Sequence, residues 1–313
     1  MTLSREALDR AARQKAREVL ADAGIVAGLV SPAKVAANVG FPLPIDDVEL
    51  PPAAFGALYK EGNSFRILVS RTCPNEGFRR FTLCHELGHL FLDGHLEELF
   101  AAGDRHYSES GQYRGQTKPW FEIQADTFAS ELLVPASFAQ PILRSAGHGL
   151  AAVRAIETTF ETSLSCAAIR YAELAGDSVA VILSRGGTVE WACTSEPLRE
   201  HWWGKRGLKG EWAPRGSVTA HLARTPKSVT AGEERNAEAW LNEWFDGAPA
   251  MSIEEEALGL GSYGRVLTVL HCGNIPTPDQ ERVREDRERR GPTDWRDGMR
   301  TYTLDRYEDL VDD

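Results

Sequence analysis

The sequence has no uninterrupted apolar run of the ~18–20 residues that a membrane-spanning helix needs. It has no C-x-x-C pair: Cys73, Cys84, Cys166, Cys193 and Cys272 are scattered and odd in number. That spacing argues against a disulfide framework or a structural zinc knuckle and predicts free thiols in a reducing cytosol. A positive balance is also missing. A net charge of −11 argues against a protein that coats nucleic acid through a general basic field. Residues 1–17 are charged and helical in pattern rather than an apolar leader, so a cytoplasmic protein is expected, and no internal repeat is visible.

What is present reads as an ordinary globular chain, with 42% hydrophobic and 26% charged residues. Its 313 residues exceed what one core usually fills, ~250–300, which predicts a catalytic core plus a smaller domain. Residues 4–23 carry apolar side chains at helical spacing (Leu8, Ala11, Ala12, Ala16, Val19, Leu20). Ser31 and Pro32 open a short helix that Gly40 closes. Two strands are expected at 55–59 and 64–70, around Gly62-Asn63. A helix follows at 75–92, a polar Gly-rich loop at 93–117, and a second strong helix from 119 to 134, stopped by Pro135. Helical pattern continues over 136–175, broken at Thr162-Ser163-Leu164-Ser165. After Gly176 the texture changes to a hairpin at 178–193 around Gly186-Gly187, with one more strand at 264–272. A charged helix is expected at 282–290, within a loosely ordered tail.

The chemistry concentrates in the first of the two strong helices. His85-Glu86-Leu87-Gly88-His89 is an H-E-x-x-H sequence. Residues i and i+4 share one helix face, so His85 and His89 can offer two ring nitrogens to one ion. Glu86 then stands beside the metal, where it can take a proton from an activated water. A catalytic zinc site usually has three protein ligands and one open position. The best third candidate is Glu122, which shares a face with Ala125 and Ala129, small residues that suit close helix packing against Gly88. Asp126 is an alternative ligand or a partner for a ligand histidine. His95, His106, Tyr107 and Tyr113, in or beside the 93–117 loop, are candidates to stabilise the tetrahedral intermediate. Cys84, though next to His85, reads as a small hydrophobe on a buried helix.

The stretch Phe81-Thr82-Leu83-x-His85-Glu86-Leu87-Gly88-His89, followed by Glu122-x-x-Ala125-Asp126-x-Phe128-Ala129-x-x-Leu132-Leu133-x-Pro135, resembles the ImmA/IrrE family of zinc metallopeptidases. The resemblance covers about residues 15–175. It implies an α+β fold with a mainly helical zincin-like core and a small β-sheet over 1–175, including a trailing helix-turn-helix-like segment from about 136. A smaller α+β domain of GAF-like sensor type would occupy 176–275, with a charged tail at 276–313. It also implies His85, His89 and Glu122 as ligands and Glu86 as general base. Zn2+ is the implied cofactor, although Mn2+ or Fe2+ also suits two histidines and a carboxylate. The implied partner is a protein substrate, a helix-turn-helix transcriptional repressor whose cleavage switches on a stress or mobile-element response.

Two features fall outside that pattern. The segment 149–174 has the outline of a helix-turn-helix but offers one Arg for base readout, so packing helices are expected there. Residues 199–227 hold seven basic side chains against two acidic ones, with Trp202, Trp203 and Trp212 among Lys205, Arg206 and Lys209. Such a surface could take single-stranded nucleic acid or a partner. The plainer reading makes the tryptophans the core of a small domain. A non-proteolytic binding regulator, or a sensor of a small-molecule activator, is the competing function class.

Overall fold

The computed structural model describes residues 4–38, 40, 43–101, 103–109, 118–201, 207–273, 275 and 289. The tail expected at 276–313, with its charged helix, lies outside these residues apart from Arg289. No helix among them is long and apolar enough to cross a membrane.

Helix α1 (Arg5–Asp22) starts where the Ser4 hydroxyl accepts the Ala7 N–H at 3.3 Å, and it buries Ala12, Ala16, Val19 and Leu20. Helix α2 (Pro32–Ala36) starts with the Ser31 cap and Pro32. Strand β1 (Ile45–Val48) runs parallel to β3 (Ser64–Ser70), which forms a hairpin with β2 (Ala54–Glu61). Helix α3 (Glu76–Phe91) begins at Asn75, whose side-chain oxygen accepts the Phe78 N–H at 2.8 Å.

The expected loop at 93–117 is more ordered than its composition suggests. It contains helix α4 (His95–Leu99) and strand β4 (Arg105–Glu109). β4 pairs antiparallel with the open edge of β2, giving the order β1-β3-β2-β4. Five residues are too few to show a helical period, and Arg-His-Tyr-Ser-Glu has no apolar alternation. Pairing with β2, a non-local interaction, makes it a strand.

Helices α5 (Trp120–Leu133), α6 (Ala136–Ala146), α7 (Gly149–Phe160) and α8 (Leu164–Leu174) follow. The last two are packing helices: α8 buries Cys166, Ala167, Ala168, Arg170, Tyr171 and Ala172. Arg170 is fully buried. Its guanidinium donates to Val134 O at 2.8 Å, to Glu173 at 2.8 Å and to Glu131. Arg13 and Arg17 of α1 reach the same Glu131 at 3.5 and 3.4 Å. One ionic network therefore ties α1, α5 and α8 together.

The second sheet is antiparallel throughout, in the order β6-β5-β9-β8-β7. Its strands are β5 (Val179–Arg185), β6 (Thr188–Thr194), β7 (Glu234–Trp240), β8 (Ser252–Gly259) and β9 (Arg265–His271). Val179, Val181, Leu183, Leu267 and Val269 face Ile156, Phe160 and Tyr171, so this face shares one core with α7 and α8. Ala180, Ile182 and Leu270 point the other way, onto Leu198, Leu241, Trp244 and Phe245. Short helices α9 (Glu196–Arg199), α10 (Val218–Ala223), α11 (Pro226–Thr230) and α12 (Leu241–Trp244) accompany this sheet. Two of its strands, β7 and β8, were not expected. The run Glu254-Glu255-Glu256 hides β8, yet each acid has work in the fold. Glu255 is buried and accepts from Thr219, and Glu256 accepts the Leu150 N–H of α7 at 2.6 Å.

Removing Arg170 would leave the Glu131 carboxylate buried with only partly exposed cations beside it. Arg170→Met is expected to destabilise the fold by about 3–5 kcal/mol, read as a lower urea midpoint. Arg13→Met, on the wetter side of the network, should cost clearly less.

Candidate metal centre

Helices α3 and α5 meet closely because neither carries bulk at the crossing. A Cβ added to Gly88 would lie 3.1 Å from Phe128 Cδ1 and 3.3 Å from Ala125 Cα. The contact sets three side chains around one point. His85 Nε2 and His89 Nε2 are 3.1 Å apart, and Glu122 oxygens lie 3.3 Å from the first and 3.8 Å from the second. All three residues are buried, and their ligand atoms fall within the reach of a single ion.

The hydrogen bonds behind the two rings decide which nitrogens face inward. His85 Nδ1 donates to Asp126 Oδ1 at 2.9 Å, and Asp126 is itself held by Lys118. Behind His89 the chain is longer. His89 Nδ1 lies 2.9 Å from His95 Nδ1, His95 Nε2 lies 3.1 Å from Gln124 Oε1, and Gln124 Nε2 donates to Leu8 O at 3.0 Å. Only one proton arrangement satisfies the series. His95 carries its proton on Nε2, His89 carries its own on Nδ1, and His89 Nε2 keeps a free lone pair. With both rings neutral, their inward lone pairs face each other and the Glu122 carboxylate. Three such acceptors repel one another unless a positive charge lies between them: a second proton on His85 supplies it in the metal-free site, and a cation is what such a set fits.

The surrounding polar atoms point the same way. Glu86 Oε1 and Oε2 are buried with no hydrogen-bond partner, while His106 Nε2 and Glu122 Oε1 face each other, 3.1 Å apart. Burial pushes the Glu86 carboxyl up from its ordinary range. Burial acts likewise on Glu122, but the imidazoles of His106 and His85 outweigh it and hold its carboxyl well below that range. Burial works against charging His85, yet Asp126 and Glu122 outweigh it and push the ring up to about 10. His89 is held low by burial and by the neighbouring His85.

Glu86 has its own cradle. A Cβ on Gly56 of β2 would fall 2.3 Å from Glu86 Oε1 and 2.7 Å from Thr82 Cγ2. His106 comes from β4, with Nε2 3.1 Å from Glu122 Oε1. Of the other three candidates in that region, His95 backs His89, and Tyr107 pairs with Tyr59 hydroxyl to hydroxyl at 2.7 Å. Tyr113 lies outside the described residues. Cys84 is buried, and burial pushes its thiol far above the ordinary range, as expected of a packing residue. Trp202, Trp203, Lys205 and Arg206 also lie outside the described residues, while Lys209 is exposed. Trp212 is 73% exposed, against the expectation that it sits in a small core. A second group, His148, Glu254 and His271, is within ligand reach of one ion. Its two rings stack at 4.0 Å and 13°, which sets their in-plane lone pairs nearly parallel instead of convergent.

Residues 45–171 match the family model for the IrrE N-terminal-like domain, peptidase M78. The chain carries an IrrE N-terminal-like domain. In fold it is similar to a solved Mycobacterium tuberculosis transcriptional regulator, with a TM-score of 0.51 and 16% identity over 85% of this chain and 76% of that one. No curated protein matches the chain. The IrrE-like match holds every residue of the His85/His89/Glu122 cluster, but it starts at β1. Helix α1, which supports the site through Leu8 O and Gln124, lies before it. Gly56, Lys118, Gln124 and the His95 relay were not expected from the sequence. Gln124 alone left a signal, as a polar residue on a helix face that is otherwise buried.

Gly56→Ala is expected to displace the Glu86 carboxylate and cut any hydrolytic activity by about 100-fold, since an error near 1 Å has that cost. Metal content should stay unchanged by elemental analysis. Because an incoming ion must displace the proton held on His85, its apparent affinity should rise by about tenfold per pH unit around neutrality. Competition with a coloured chelator at several pH values reads that slope.

Proposed function

We propose that this chain is a zinc-dependent endopeptidase that cleaves a helix-turn-helix transcriptional repressor in the cytoplasm. The observation that carries the reading is the convergence of His85, His89 and Glu122 beside the unpartnered, buried Glu86 carboxylate. The peptidase M78 match supports it. The regulator description of the M. tuberculosis structure is in line with a role in transcriptional control.

A divalent ion held by the three ligands would supply Lewis acidity toward a peptide carbonyl and lower the pKa of a water toward ~7. Glu86 takes the proton of that water, for which a carboxyl raised by burial is the better match, and delivers it to the leaving amine. His106 is the donor we assign to the oxygen that gains charge, because β4 places its Nε2 at the ligand cluster, 3.1 Å from Glu122 Oε1. Strand β4 lies at the edge of its sheet, so an extended substrate can add to it alongside His106. Asp126 and His95 hold the two ligand rings in register. Zn2+ is favoured over Mn2+ or Fe2+ for a buried site of two imidazoles and one carboxylate. Residues 176–275 form the regulatory part in this reading, a GAF-like sensor whose sheet shares a core with α7 and α8.

The test uses the zinc-loaded chain and a small helix-turn-helix repressor encoded next to it. One or a few cuts are expected. Glu86→Gln should abolish cutting while zinc stays bound. Equal cleavage by Glu86→Gln would sink the mechanism. Tight binding of the repressor without cutting by the unmutated chain would favour a regulator that works by contact.

A further inference from the structure

A cavity of about 1410 Å3 lies on the seam between the helical domain and the second sheet. From the first side it is walled by Phe55, Phe78 and the turn joining α7 to α8; from the second by Trp191, Leu258 and Tyr263. Its volume exceeds the ~300–1,000 Å3 of small-ligand clefts and suits a stretch of polypeptide.

Its position relative to Glu86 is close and mechanical. Phe55 directly precedes Gly56, the residue whose missing side chain makes room for the Glu86 carboxylate. Phe78 stands edge-on to Phe55 at 5.0 Å, two helical turns before Glu86 on α3. The cap of that helix is in reach of the other domain: Asn75 Nδ2 donates to the Tyr263 hydroxyl at 3.3 Å, and that hydroxyl donates to Pro74 O at 3.2 Å. Whatever fills the cavity therefore touches the base's cradle, the start of its helix and the second domain together.

The charge of the wall narrows the occupant. Among the described residues the lining holds four carboxylates, Glu76, Glu157, Glu161 and Glu190, against Lys209 and Arg265. Arg265 is taken by Glu190 at 2.5 Å. Glu157 is half-buried, and the nearby Arg154 is engaged by Glu234 at 2.5 Å. Burial pushes the Glu157 carboxyl up, and the nearby Arg154, turned to Glu234, offsets that only in part. An unneutralised carboxylate among aromatic and aliphatic walls suits an apolar segment that carries a Lys or Arg.

We propose that the seam cavity docks a flank of the protein substrate, an apolar segment whose basic side chain faces Glu157, while the scissile bond lies over Glu86. This rests on the protease reading above. It also agrees with the charge of the partners, since a DNA-binding repressor must be basic where it meets phosphate and this chain carries −11.

Binding is measured by fluorescence anisotropy on the full, zinc-loaded chain carrying Glu86→Gln. The probes are a labelled 12-residue peptide of alternating Leu and Arg and its Leu/Glu counterpart. The Leu/Arg peptide should bind at least tenfold more tightly. Adding Glu157→Lys should weaken it at least tenfold, and Glu157→Gln, which preserves shape, should weaken it by less. Glu238→Lys, the same charge change on exposed strand β7, should leave binding unchanged. Equal effects of Glu157→Lys and Glu238→Lys, or no preference between the peptides, would overturn the docking site. Cleavage of a proteome-derived peptide mixture by the unmutated chain is scored separately. Cleavage whose flanking preference ignores Glu157→Lys overturns the docking site and spares the protease reading. Binding as expected with no peptide cut does the reverse.

Discussion

The close approach of α3 and α5 at Gly88 is the constraint on which the site depends. With Phe128 Cδ1 and Ala125 Cα at 3.1 and 3.3 Å from the place of a Cβ, even an alanine at 88 requires Phe128 or α5 to give by a few tenths of an ångström. A shift of α5 would carry Glu122 away from the two imidazoles, which lie 3.3 and 3.8 Å from its oxygens and would share an ion with it in the proposed reading. The helices are also fixed from outside. The Arg170–Glu131 pair holds α5 against α8, and Gln124 holds it to α1. Rigid placement of this kind is what a metal site needs, because ligand geometry is set by the backbone long before an ion arrives.

The regular local parts of this arrangement were legible in the sequence. Helices α1, α3 and α5 were expected at 4–23, 75–92 and 119–134 and lie at Arg5–Asp22, Glu76–Phe91 and Trp120–Leu133. The H-E-x-x-H pair and the alanine face following Glu122 point to one another before any coordinates. What stayed hidden depends on non-local contact. β4 is a strand because β2 has a free edge, and β8 is a strand despite three successive glutamates because each finds a partner elsewhere. The His95 relay was hidden for the same reason. Nothing in the order of residues 89, 95 and 124 says that they form a line ending at Leu8 O. His106 could be named from the sequence only as one of four; its separation from His95 and Tyr107 came from what those two touch.

The second sheet is not a separate body hung on a linker. Its inner face, from Val179 to Val269, closes the same core as α7 and α8, and Gly77 lets the start of α3 lie against the backbone of Thr162 and Ser163. A Cβ there would fall 2.3 Å from Ser163 N, so α3 and the α7–α8 turn are in direct backbone contact at this point. The Tyr263 hydroxyl then adds a contact from the second domain to the cap of that helix.

This arrangement constrains how regulation can reach the chemistry. A packed core transmits displacement because it has no slack to absorb it. A shift of the second sheet therefore has two short routes to Glu86: through Tyr263 and Asn75 into α3, and through Phe55 into the position of Gly56. The first route runs along the helix that also carries His85 and His89, whereas the second reaches Glu86 without touching the ligands. His85, His89 and Glu122 are braced separately by Asp126, by the His95–Gln124 line and by the ionic network around Arg170. In the proposed reading, a displacement through Phe55 and Gly56 would alter the position of Glu86 while His85, His89 and Glu122 stay in register, separating control of turnover from control of metal occupancy.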